Sequence, residues 1–343
     1  MLSVIRSRLL EEECFIVQQP NEDVIIIGGG PCGMSAAIEL KKHGIDPLII
    51  EKGNVVNSIY HYPTHQTFFS SSEKLEIGNI PFISERQKPV RNEALAYYRA
   101  VADREDLRVN TFEKVLTVEQ SGTGFVVNAE TNTGENNVYQ TNNIIVATGY
   151  YDQPNFMGVK GEELPKVMHY FKEGHPYFKK KVVVIGGKNS AADAALELEK
   201  CGAEVTVLYR GEEYSKSIKP WILPQFEALV RKGIVDMEFC ADVKEITEDQ
   251  VVYECRGEEK RIANDFVFAM TGYRPDHGFL QRMGVEMDEE TGRPAFQEDT
   301  METNVSGIYI AGVIAAGYNN NEIFIENGRH HGGRIASSII NKK

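Results

Sequence analysis

The chain has 343 residues, 42% of them hydrophobic and 25% charged, with 50 acidic against 37 basic side chains and a formal charge of −13. This is ordinary globular composition, long enough for two domain cores, which excludes a disordered chain. The acidic balance repels phosphate backbones and anionic lipid, and no apolar run reaches the ~18 residues that span a bilayer, so neither nucleic acid nor membrane is expected as a partner.

Residues 1–21 read as a short N-terminal extension. Two arginines among the first ten residues are followed at once by Glu11, Glu12 and Glu13, with no continuous apolar stretch and no small-residue cleavage site, unlike a signal peptide. The five cysteines, Cys14, Cys32, Cys201, Cys240 and Cys255, are odd in number and include no C-x-x-C pair. That excludes a disulfide framework and a zinc site, and a reducing cytoplasm is expected. Cys14 is incidental on this reading, and Cys201, Cys240 and Cys255 are expected as small buried side chains.

The first strong pattern is the apolar run Val24-Ile25-Ile26-Ile27, then Gly28-Gly29-Gly30-Pro31-Cys32-Gly33, then a helical segment ending near Gly44. Leu48-Ile49-Ile50 follows and stops at Glu51. This is a β-α-β unit. Short strands are expected over residues 114–119, 125–129 and 138–140, and a buried strand over 144–150 ends in Thr148-Gly149-Tyr150. A second copy starts at Val182, and its Gly186 stands 158 residues after Gly28. Its helix runs to about Lys200 and its second strand over 205–209. A meander is expected over 236–240, 251–255 and 260–262, and a buried strand ends in Thr271-Gly272-Tyr273. A whole nucleotide-binding unit is therefore repeated. The first copy carries about 35 additional residues, mostly between Asn54 and Tyr98, a natural place for substrate contacts beside a cofactor.

Gly28-x-Gly30-x-x-Gly33 between strand and helix is a dinucleotide fingerprint. Gly28 permits the turn, Gly30 lets backbone approach a pyrophosphate, Gly33 lets helix pack on strand, and Glu51 can accept hydrogen bonds from a ribose diol. In the second copy, Gly186 and Ala191 hold the outer motif positions and Lys188 replaces the middle glycine. The residue placed like Glu51 is Arg210. An arginine there suits a ribose 2′-phosphate, which a glutamate would repel, and Lys216 and Lys219 follow closely. NADPH is thus expected in the second unit and a dinucleotide without that phosphate in the first. His330 and His331, beside two glycines, suggest packing or solvated roles. Tyr150 and Tyr273 suggest packing at an interdomain hinge. The asparagines 319–321 suggest the cap of a last helix starting near 320.

The order of glycine motif, T-G strand, second glycine motif, second T-G strand and the final Tyr309-Ile310-Ala311-Gly312 strand resembles the two-dinucleotide-binding flavoprotein disulfide reductases. The segments Gly28-Gly29-Gly30-Pro31-Cys32-Gly33, Tyr62-Pro63-Thr64-His65-Gln66-Thr67-Phe68-Phe69-Ser70, Gly186-Gly187-Lys188-Asn189-Ser190-Ala191 and Asn321-Glu322-Ile323-Phe324-Ile325-Glu326-Asn327-Gly328 resemble, more specifically, the bacillithiol-disulfide reductases. The resemblance implies an α/β protein of two Rossmann-like domains, with an NADPH domain (152–272) inserted into an FAD domain (22–151 and 273–343). It implies FAD contacts from Gly28, Gly30, Pro31, Cys32, Gly33, Glu51, Lys52, Thr148, Gly149, Gly312 and Val313. Val313 stands where related reductases carry an aspartate. NADPH contacts are implied for Gly186, Gly187, Lys188, Asn189, Ser190, Ala191, Arg210 and Lys216.

The expected chemistry is NADPH-dependent reduction, through FAD, of a small disulfide such as bacillithiol disulfide, and the resemblance places the redox cysteine at Cys32. A thiol at a helix N-terminus is expected to have a lowered pKa. A flavin monooxygenase, a ferredoxin-type NADP reductase and a non-enzymatic flavin redox sensor stay open at this point, as does a homo-oligomer.

Overall fold

The computed structural model describes residues 21–319 and 321–342. Cys14 and Asn320, both named above, lie outside the described residues. The first unit opens with β1 (Asn21–Ile27), α1 (Pro31–Lys41) and β2 (Leu48–Glu51), then α2 (Asn57–His61), α3 (Ser72–Leu75), α4 (Arg91–Arg104) and β3 (Arg108–Thr111). A meander follows: β4 (Glu113–Ser121), β5 (Gly124–Thr131) and β6 (Asn136–Val146). The sheet order is β3-β2-β1-β6-β5-β4.

The expected strands over 138–140 and 144–150 are one strand, β6, which stops at Val146, short of the Thr148-Gly149-Tyr150 turn. Its first half pairs antiparallel with β5, and Ile144–Val146 pair parallel with β1. Burial explains the join. The first half alternates exposed and buried residues, as a sheet covered on one face does, whereas Ile144, Ile145 and Val146 are all fully buried. One strand thus belongs to both layers.

The second unit repeats the plan with β7 (Val167–Met168), β8 (Lys181–Ile185), α5 (Asn189–Lys200), β9 (Glu204–Tyr209), α6 (Leu223–Arg231) and β10 (Val235–Phe239). Its meander is β11 (Ala241–Ile246), β12 (Gln250–Cys255) and β13 (Glu258–Ala263), and β14 (Phe266–Ala269) closes it. The sheet β10-β9-β8-β14-β7 is wholly parallel. The strand expected to open the second meander at 236–240 is instead β10, beside β9, and the true first strand, β11, follows after one residue. That residue, Cys240, has φ +55°, and Phe112 with φ +58° makes the same one-residue break between β3 and β4. A left-handed residue without glycine is not visible in sequence, so neither break is legible there, and the expected strands include neither β3 nor β11.

The chain returns to the first unit with α7 (His277–Arg282), β15 (Ile308–Ile310), α8 (Ile325–Gly328) and α9 (His331–Lys342). β15 pairs parallel with β6. The helix expected from near 320 is two helices that start later, α8 at Ile325 and α9 at His331: before α8, Asn327 folds back, its Oδ1 accepting the Phe324 N–H at 2.7 Å and its Nδ2 donating to Glu322 O at 2.8 Å. α9 packs so tightly on α1 that a Cβ on Gly332 would stand 2.7 Å from Ala36 Cα. Each sheet has its own core, with Ile26, Ile49, Ile145 and Ile310 in the first and Val184, Ala195, Phe226 and Phe268 in the second. Two chain passes join the units side by side, Asn155 N–H donating to Gly272 O and Arg274 N–H to Gln153 O, both at 2.9 Å.

Candidate active site

The first glycine motif works by exclusion and by exposure. Gly28 has φ +113°, and a Cβ there would lie 2.5 Å from Ala147 O; one on Gly33 would lie 2.1 Å from Gly28 O. Only glycine lets β1 turn under the start of α1. Gly30 differs: a Cβ there meets nothing within 4 Å, because the residue borders a cavity. Pro31 opens α1 without losing a needed N–H, so the free N–H groups of the first turn face an approachable surface.

At the end of β2, Glu51 accepts the Gly29 N–H at 2.7 Å and the Gly53 N–H at 2.8 Å. Burial pushes its carboxyl up, against the pull of those two donors. Lys52 Nζ lies 2.9 Å from the Asp152 carboxylate. Thr148, just past β6, has its Oγ1 buried with no hydrogen-bond partner. Such an orphan marks a place where a bound group completes the count.

The second motif has the same logic with different side chains. Gly186 has φ +143°, where a Cβ would be 2.4 Å from Met270 O, and a Cβ on Gly187 would lie 2.3 Å from the Tyr209 ring. Ala191 is buried in place of a third glycine. Lys188 is extended immediately before α5 and, with Asn189 and Ser190, lines the cavity. Asn189 accepts the Lys219 N–H at 2.9 Å and donates to Ser217 O at 3.0 Å, tying the loop after Arg210 to the motif. Arg210 and Lys219 line the cavity. Lys216, expected beside them, is exposed and outside the cavity wall, because the turn closed by Asn189 directs Lys219 inward instead.

Both motifs border one cavity of about 1560 Å³. Gly28, Gly30, Pro31, Cys32, Glu51, Lys52, Thr148, Gly149, Gly312 and Val313 line it from the first unit, and Gly186, Gly187, Lys188, Asn189, Ser190 and Arg210 from the second. Gly33 and Ala191 serve packing and do not reach it. A tyrosine cluster lies where the units meet. Tyr151 sits 5.3 Å from Tyr62 and 4.6 Å from Tyr273, and Tyr170 stacks on Tyr273 at 5.3 Å and 15°. The sequence pointed to Tyr150 and Tyr273 here; Tyr151 and Tyr170 arrive only through the fold.

Cys32 is the second residue of α1 and, among the described residues, the cysteine that lines the cavity. Its Sγ is packed toward the backbones of Gly312 and Gly328, where added Cβ atoms would stand 3.0 and 2.9 Å away. Burial pushes the thiol up to about 12. Burial thus opposes the thiolate that the helix N-terminus would favour. The Gly312 N–H donates to His331 Nδ1 at 3.2 Å. Burial lowers His331 to about 4, so the ring is neutral and its proton sits on Nε2. Of the other cysteines, Cys255 is buried as expected, whereas Cys201 and Cys240 are half-buried at strand and helix ends, where packing is one-sided.

Residues 25–312 match the family described as pyridine nucleotide-disulphide oxidoreductase. The chain belongs to that family. The bacilliredoxin reductase Bdr of Bacillus subtilis (strain 168) is 67% identical over 325 residues, 94% of this chain and 98% of the relative. The bacillithiol disulfide reductase Bdr (YpdA) from Bacillus cereus has 65% identity and a TM-score of 0.93, covering 94% of this chain and 100% of that one. The Staphylococcus aureus enzyme of the same name has 59% identity and a TM-score of 0.91, covering 95% and 100%. Within the family the chain therefore groups with the Bdr reductases. It is an oxidoreductase that uses a pyridine nucleotide and a flavin, with two Rossmann-like domains, the second inserted into the first.

Proposed function

We propose that this enzyme uses NADPH at the second glycine motif and FAD at the first to reduce a low-molecular-weight disulfide, bacillithiol disulfide. The observation that carries this is the single cavity bordered by both motifs and by Cys32. The residues present fit the two groups. The open face of Gly30, the first-turn N–H groups of α1 and the orphaned Thr148 hydroxyl suit a flavin dinucleotide. Glu51, on the cavity wall at the end of β2, suits its ribose. Arg210 on the cavity wall suits a 2′-phosphate. When bound, the flavin supplies two-electron transfer between nicotinamide and disulfide; the protein supplies position and electrostatics. His331 holds the Gly312 backbone, and Gly312 in turn bounds the space around the Cys32 thiol. In this reading Cys32 is the thiol that exchanges with the acceptor: its sulfur would form a mixed disulfide with one half, the proton would leave with the other half as a free thiol, and two electrons from the bound flavin would reopen the mixed disulfide.

The test is anaerobic NADPH oxidation with bacillithiol disulfide, oxidised bacilliredoxin, oxidised thioredoxin and oxygen offered separately. Fast turnover with bacillithiol disulfide is expected. Turnover with bacilliredoxin alone would transfer the reading to the acceptor named for the B. subtilis relative, and turnover with oxygen alone would restore the monooxygenase reading.

A further inference from the structure

Four side chains on the cavity wall belong to neither glycine motif: Phe69 and Lys88 from the insertion of the first unit, and Lys219 and Trp221 from the loop after Arg210. Phe69 is 36% and Trp221 52% exposed, although both line the cavity, so they stand at its solvent-facing rim. The two rings lie 5.8 Å apart at 60°. Lys88 Nζ sits 3.7 Å from the centre of the Trp221 ring, and Lys219 Nζ 5.5 Å from that of Phe69. The cluster thus joins the two units, one cation and one aromatic from each.

The cluster is held from behind on both sides. Phe68 N–H donates to Pro89 O at 2.9 Å and Ser72 N–H to Gln87 O at 3.1 Å, fixing Phe69 beside Lys88. The bond from Lys219 N–H to Asn189 fixes the other half. The ammonium groups, by contrast, contact only the aromatic faces beside them. In a chain with 50 acidic residues, neither Lys88 nor Lys219 pairs with a carboxylate, or donates from Nζ to any acceptor, among the described residues. The carboxylate of Glu326 on the same wall is engaged by Ser70 Oγ at 2.8 Å. Two unpaired cations beside two exposed rings, at the edge of a redox cavity, present charge-assisted donors and apolar cover together.

We propose that Phe69, Lys88, Lys219 and Trp221 form the acceptor-recognition subsite, selecting small disulfides that carry carboxylates. The lysines pair with the carboxylates, and the rings cover the carbon skeleton. This rests on the disulfide-reductase reading above and names the substrate class for it.

Trp221 is the single tryptophan of the chain, so intrinsic fluorescence reports on this cluster. The oxidised holoenzyme, without NADPH, is titrated with dithiodipropionate, its neutral diamide and cystamine, which share a disulfide and differ in charge. Saturable response to the dianion is expected, with the diamide and cystamine weaker by about tenfold or more. Lys88→Gln should bring the three ligands within about twofold of one another, and Lys88→Arg should keep the preference. In turnover, Lys88→Gln should raise KM for bacillithiol disulfide by about tenfold and leave kcat and KM for NADPH within about twofold. Equal response to the three ligands, no saturable response to the dianion at millimolar concentration, or a preference indifferent to both Lys88→Gln and Lys219→Gln overturns the subsite. Charge-selective binding in an enzyme that reduces no disulfide would leave the subsite standing and remove the functional reading. Turnover of bacillithiol disulfide with KM unmoved by Lys88→Gln would do the reverse.

Discussion

The Sγ of Cys32 occupies the space that a side chain on Gly328 would need, 2.9 Å from the position of an added Cβ. The thiol of the first glycine motif is thus packed against a helix near the C-terminus of the described chain. Gly328→Ala should cost about 1–3 kcal/mol through overpacking. Adding Cys32→Ala should return part of that loss. The remainder stays because the new Cβ also stands 3.2 Å from Gly312 Cα and from Ile323 Cγ2. A double-mutant cycle from denaturant melts measures the coupling; strictly additive losses would mean the two sites do not share this space.

A thiol pushed up to about 12 stays protonated through the neutral range. Alkylation of Cys32 by iodoacetamide, followed by peptide mass spectrometry, should rise about tenfold per pH unit well past the ordinary thiol value near 8.5. A plateau at or below that value would show that the helix N-terminus prevails over burial.

Cys32→Ala should keep the yellow colour and NADPH-driven bleaching of the flavin, since the cofactor cradle there is backbone, while disulfide reduction is lost. Full disulfide turnover by the variant would assign the last electron transfer directly to the flavin and leave Cys32 a packing role.

Arg210→Ala should weaken NADPH by about ten- to a hundredfold, the loss of a charge-assisted contact of roughly 1.5–3 kcal/mol, and leave NADH nearly unchanged. Titration of the enzyme with each nucleotide separates the cases. Equal weakening of both would mean that Arg210 does not read the 2′-phosphate.

His331 is lowered to about 4 in the folded protein. Its unfolded value is near 6.5. Above that value both states are neutral, and the bond from Gly312 N–H is fully available. As pH falls through the window between them, the unfolded chain takes up the proton first, so stability is lost from about 6.5 down to about 4. His331→Leu should cost about 1–3 kcal/mol at neutral pH by orphaning the Gly312 N–H. The variant should also lose less stability than the wild type on acidification to about pH 4.5. Parallel pH profiles for the two proteins in urea melts would sink this account.

The sequence by itself determined the two nucleotide-binding units, their order, and the contrast between Glu51 and Arg210. Turn chemistry is written in adjacent residues: Gly28 and Gly186 each need a φ that other residues rarely adopt, and each is followed by a helix whose composition is legible. The family resemblance rested on the same contiguous segments. Only the tertiary structure decided what surrounds those residues. The fusion of two expected strands into β6 depends on which layers cover each half. The breaks at Phe112 and Cys240 depend on neighbours that hold a non-glycine residue at positive φ. Lys219 rather than Lys216 reaches the cavity because Asn189 fixes the turn between them. The state of the Cys32 thiol is set by Gly312, Gly328 and the burial they impose, and the contact of Lys88 with Trp221 joins positions 133 apart in the chain. Burial and side-chain pairing are sums over distant residues, so they exist only once the chain has closed on itself.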